Sequence, residues 1–182
     1  MMKGGIRILA VEDGPFTRKD KASLAVCLLG RDGIVEGMLS FMVAVDGDDA
    51  TDKLLNAIRK SRFSGQVKMI AMNGITLGGL NIVDMTKLHA SLKIPVIAIT
   101  RKRPRRTLML KTMKKYSGRE KVGIFKDIAK NASLDRVDGF YVQSLGIKKS
   151  EIGKFMQTSL SLLRLGHIVA SGIVKGESKG SL

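Results

Sequence analysis

A chain of 182 residues, 44% of them hydrophobic, is long enough to bury a core and is neither disordered nor collagen-like. Its single cysteine, Cys27, excludes an internal disulfide and any cysteine-cluster metal site; with no Trp, two Tyr and six Phe, the core must be aliphatic and Met-rich. The 32 Lys and Arg against 16 Asp and Glu leave a net charge of +16, an excess that favours polyanionic partners, nucleic acid foremost, and that also serves solubility.

The N-terminal stretch MMKGGIRILAVEDG is too short in its apolar part for a signal peptide. No apolar run approaches the roughly 20 residues of a membrane span, so a soluble, cytoplasmic protein without a membrane partner is expected. Residues 6–12, IRILAVE, read as a strand that ends at Glu12–Asp13–Gly14. Residues 22–30 form a second strand, Arg31–Asp32–Gly33 a hairpin turn, and 34–45 a third strand with a bulge at Gly37. The period then changes: Leu54, Leu55 and Ile58 fit a helix over 49–63, N-capped by Asp48 or Asp49. QVKMIAM (66–72) is a fourth strand, 81–93 a helix and 94–100 a fifth strand, a β–α–β unit whose apolar strands suit parallel burial.

The second half is less regular. Residues 101–121 are dense in Lys and Arg around a short helical piece; 123–132 read as a helix and 138–146 as a sixth strand. A pair of helices, or one long broken helix, follows over 148–176. No linker or repeat interrupts the chain, so one domain is expected. The right-handed crossover rule sets the fourth strand beside the first. Their C-terminal ends, the usual ligand position in such sheets, then carry Glu12–Asp13 and Asn73–Gly74.

Several stretches could carry chemistry. VDGDDAT brings Asp46, Asp48 and Asp49 together, either as a helix N-terminus or as ligands for a hard cation. NGITLGG lacks the ending and spacing of a phosphate loop and, with a helix and a parallel strand after it, is not read as a hairpin. His167 lies on a mostly apolar helix, as an interior residue or as a ligand, with Arg164 one turn earlier on its face. The basic residues Arg101, Lys102, Arg103, Arg105, Arg106, Lys114 and Lys115 make the best polyanion surface, with Tyr116 available to stack on a base.

In order along the chain, GIRILAVEDGPF, VDGDDAT, NGITLGGLNIVD, IPVIAITRKRP and LRLGHIVASGIVKGES resemble an archaeal uncharacterised family, the domain of unknown function ninety-nine. That family is similar to endonuclease V, with an RNase H-like mixed sheet of three antiparallel strands followed by β–α–β units, flanked by helices. The resemblance implies cleavage of nucleic acid, DNA or RNA, near deaminated purines, with Mg²⁺ or Mn²⁺ held by carboxylates. It assigns a first acid to Asp13, a second to Asp46, Asp48 or Asp49, a third to Asn73 and a fourth to His167, and a basic residue to Arg101 or Lys102. Two of the four acidic positions are therefore not acidic, which would weaken a bound ion. A metal-dependent nuclease with Asp13 and His167 as catalytic residues is one expectation. A nucleic-acid-binding protein without catalysis, on a degenerate nuclease fold, is the alternative.

Overall fold

The computed structural model describes residues 5–179. Strands β1 (Ile8–Asp13), β2 (Ala22–Arg31) and β3 (Ile34–Ala44) form an antiparallel meander. The β2–β3 turn uses Asp32 and Gly33, both at positive φ (48° and 81°), as a two-residue hairpin requires. The register shifts between Leu29, which faces Gly37, and Gly30, which faces Val35, so Glu36 is the extra residue of a bulge. Its carboxylate bonds Arg7 and Arg31. Gly37 beside it is required by packing: a Cβ there would lie 2.3 Å from the Phe63 ring.

After α1 (Ala50–Lys60), strand β4 (Met69–Asn73) pairs in parallel with β1, as the crossover rule predicts. The next segment departs from the sequence reading. Gly78 and Gly79, both at positive φ, turn a small hairpin of β5 (Thr76–Leu77) and β6 (Asn81–Ile82). Residues 81 and 82 are therefore strand, and α2 (Met85–Leu92) begins later, capped by Asp84 accepting from the Lys87 N–H at 2.9 Å. Strand β7 (Val96–Thr100) lies parallel to β4. The basic segment folds into α3 (Arg106–Tyr116), followed by α4 (Arg119–Asn131).

Two further differences lie near the C-terminus. β8 (Ser133–Val137) was not expected; it is a half-exposed edge strand whose polar residues hide the apolar alternation. It pairs with β9 (Phe140–Leu145), which pairs antiparallel with β7. Residues 149–175 form one unbroken helix, α5 (Lys149–Lys175): they contain no proline, and Ile152, Phe155, Met156, Ser159, Leu162, Leu163, Gly166 and Ala170 keep one buried face. The result is a mixed seven-stranded sheet in the order β3-β2-β1-β4-β7-β9-β8, flanked by helices on both faces.

The pleat sorts β1 between two cores. Ile8 and Ala10 pack with α5; Leu9 and Val11 pack with α1, α2, α3 and α4 on the other face. Continued to the strand tip, this alternation turns Glu12 toward α5 and Asp13 away from it.

Candidate functional site

Glu12 extends the apolar row of Ile8 and Ala10 and is only 3% exposed. Val11 pairs with Met72 across β1 and β4, so one step further Glu12 stands beside Asn73. Above them passes α5. Gly166 opens the space: a Cβ there would be 3.4 Å from the Glu12 Cγ. Burial, and next the charge of Asp13, push the Glu12 carboxyl up to about 8, against the opposing hydrogen bond with the Asn73 side chain. The Glu12 Oε1 atom is buried with no hydrogen-bond partner.

Asp13 belongs to the other side of the strand tip. Its Oδ2 accepts from the Gly78 N–H at 2.7 Å, at the turn of the β5–β6 hairpin. Burial raises its carboxyl above the usual value; the Gly78 N–H, its own N–H and the nearby His167 imidazole oppose that rise. His167, half-buried on α5, lies within electrostatic reach of Asp13.

The acids of the 46–49 loop are committed elsewhere. Asp46 Oδ1 accepts from the Leu80 N–H at 2.7 Å, and it fills the space that a Cβ on Gly79 would need. Asp48 pairs at 3.2 Å with Lys121, an almost fully buried lysine that also donates to the Asp46 carbonyl at 2.5 Å. Asp49 occupies the N-cap position of α1 but makes no side-chain cap bond. Its carboxylate turns back to the Ala44 N–H, the Asn81 amide (2.7 Å) and Lys53 (2.7 Å). The expected meeting of Asp13 with Asp46, Asp48 or Asp49 around one ion is not what these contacts form. Among the described residues, no group of three or more His, Cys, Asp and Glu side chains could hold a metal ion.

The stretch 73–82 instead works as a clip. Its hairpin backbone ties Asp13 on one side and the 46–49 loop on the other, and Asn81 Oδ1 accepts from the Ala50 N–H at 3.0 Å. Arg101, Lys102, Arg103, Arg105, Lys114, Lys115 and Arg164 are exposed, whereas Arg106 is half-buried. Arg101, with Asn73 and Leu163, lines a small cavity of about 40 Å³ beside the strand tips. Tyr116 is exposed, with the Lys115 Nζ 4.9 Å from its ring centre. His89 bonds the Ile94 carbonyl through Nδ1 at 2.7 Å and is structural.

Sequence reasoning set Glu12 at the strand tip with Asp13 but gave it no role. The signal was present: it is the third member of the row Ile8–Ala10–Glu12, a carboxylate where the pattern demands an apolar side chain. Lys121 gave no such signal, because it sits among other basic residues.

Comparison with known proteins agrees with this architecture. The chain matches the Endonuclease dU family over residues 4–174. A UPF0215 protein of Archaeoglobus fulgidus is 34% identical over 186 residues, covering 96% of this chain and 97% of the relative. A UPF0215 protein of Methanothermobacter thermautotrophicus is also 34% identical, covering 99% and 93%. The crystal structure of a protein of unknown function from Archaeoglobus fulgidus superposes with a TM-score of 0.83 at 32% identity, covering 94% of this chain and 99% of that one. Human ENDOV superposes with a TM-score of 0.54 at 12% identity, covering 91% and 83%, a likeness of fold. The sheet with its flanking helices is therefore similar to that of endonuclease V, and the chain belongs to the Endonuclease dU family.

Proposed function

We propose that this protein is a metal-dependent nuclease that cuts nucleic acid at or near deoxyuridine, with its reacting centre at the tips of β1 and β4. The observation that carries this reading is Glu12: a buried carboxylate with an unpartnered oxygen, beside Asp13 and Asn73, in a member of the Endonuclease dU family. Glu12 and Asn73 on the α5 side, with Asp13 turned to the other side of the strand tip, are a sparse donor set. They fit a hard cation such as Mg²⁺ or Mn²⁺, which takes one or two carboxylates and completes its shell with waters and phosphate oxygens. Such an ion, when bound, supplies Lewis-acid stabilisation and an acidified water.

The chain's own groups do the rest. Asp13 supplies negative charge, Glu12 adds its own once a bound cation displaces its proton, and the Asn73 carbonyl oxygen supplies a neutral ligand. His167, on α5 and within electrostatic reach of Asp13, serves as general acid or base. Arg101, Lys102, Arg103, Arg105, Lys114, Lys115 and Arg164 contact the phosphates of the strand. The acids at 46–49 act by holding the hairpin that positions Asp13.

The test is cleavage of a labelled oligonucleotide holding one deoxyuridine, in Mg²⁺ or Mn²⁺. Glu12→Gln and Asp13→Ala should each reduce the rate about 100-fold or more with the fold retained. Undiminished cleavage by both variants would refute the reading. One observation favours a second reading, nucleic-acid binding without catalysis: no three metal-ligating side chains cluster among the described residues. On that reading the wild-type chain binds the strand and never cuts it.

A further inference from the structure

Beyond the tips of β4 and β7 lies a cavity of about 350 Å³. Its walls include Ile75, Met109 and Phe125, and Gly74, next in the chain to Asn73, also lines it. Thr100 and Gln143 reach it because they alternate with Ile99 and Val142, which pack with α5 on the opposite face of the sheet. Two of the polar side chains in this lining matter. Gln143 is 6% exposed. Arg106, the first residue of α3, has its Nε and Nη2 nitrogens buried and without a hydrogen-bond partner. Buried guanidinium donors left idle are costly, and the cost is relieved by a ligand that brings an acceptor.

A cavity of this size with apolar walls and few polar groups suits a small flat ligand. A strand lying across the tips would offer one in its bases. We propose that the cavity takes a base of the bound strand, and that Arg106 is a specificity-determining residue, donating to the exocyclic carbonyl oxygen that deamination of cytosine creates. This rests on the nuclease reading of the neighbouring strand tips. Arginine carries donors only. At ring position 4 uracil presents an acceptor oxygen and cytosine an amino donor, so the guanidinium favours the first and opposes the second. Thymine bears the same oxygen, so Arg106 sorts keto from amino bases and does not separate uracil from thymine.

The experiment is binding of the full chain, in EDTA so that no strand is cut, to single-stranded oligonucleotides with deoxyuridine, deoxycytidine or thymidine at one central position. The wild-type chain should bind the deoxyuridine strand about 10- to 100-fold more tightly than the deoxycytidine strand. Arg106→Gln, whose amide oxygen can accept from the cytosine amino group, and Arg106→Ala should both abolish that ratio and leave the deoxyuridine-to-thymidine ratio as it is in the wild type. Circular dichroism of both variants establishes that they are folded. A wild-type chain with no preference over deoxycytidine, or variants that keep the preference, would overturn the inference. Cleavage assays in Mg²⁺ on the same strands separate it from the nuclease reading. Cutting whose base preference ignores Arg106 removes the pocket and keeps the nuclease; an Arg106-dependent preference with no cutting does the reverse.

Discussion

Glu12 and Asn73 stand side by side at the ends of two parallel strands, one step beyond the Val11–Met72 pair and beneath Gly166 of α5, where the Asn73 side chain favours the charged form of Glu12. The pair puts a carboxylate where its charge is poorly solvated and gives it one neutral partner.

Stability should depend on pH through Glu12. Its ordinary value is 4.5, and in the fold it is pushed up to about 8. Between these values the unfolded chain releases the proton and the folded chain keeps it. Stability therefore falls as pH rises through this window, at most by about 1.4 kcal/mol per unit, and levels off above it. Thermal melts from pH 4.5 to 9 without divalent ions should show this slope, and Glu12→Gln should flatten it. Adding Mn²⁺ at pH 8 should raise the wild-type melting temperature more than that of Glu12→Gln.

Asn73→Asp places a second carboxylate beside Glu12. Mn²⁺ affinity by calorimetry should rise about tenfold, because ligand charge sets the strength of a hard-cation site. The metal-free variant should melt lower than the wild type, from repulsion between the two acids. Unchanged affinity would mean that Asn73 does not face the ion.

Gly37→Ala tests the packing of the bulge, independently of the site. The added Cβ would overlap the Phe63 ring at 2.3 Å. Overpacking of this kind costs about 1–3 kcal/mol, read from urea unfolding. Phe63→Leu in the same chain should recover part of the loss.

Nucleic-acid affinity should fall steeply with salt if the exposed arginines and lysines after β7 contact phosphates. Replacing Arg103 and Arg105 together by Ala should make the slope of log K against log salt shallower by about 1.5–2. An unchanged slope would move the binding surface elsewhere.

Much of the architecture was legible because its signals are local. The meander, the parallel β4 and β7 and the strand-tip position of Asp13 and Asn73 follow from apolar runs broken by Asp-Gly and Asn-Gly. The small hairpin was not legible: its two-residue strands are too short for any period, and it is held by the Asp13 and Asp46 side chains from distant parts of the chain. The 46–49 acids read either as a helix N-terminus or as cation ligands, because sequence does not show that Lys121, Lys53, Asn81 and backbone N–H groups meet them after folding. Glu12 was named at the strand tip but given no role beside Asp13, since one residue of register decides which of two adjacent acids faces α5.

The most direct measurement is an anomalous difference map from crystals soaked in Mn²⁺. An ion within about 2.0–2.3 Å of a Glu12 carboxylate oxygen, with Asp13 or Asn73 in its shell, is the predicted result. An ion seated on the 46–49 loop, with Glu12 uncoordinated, would contradict it.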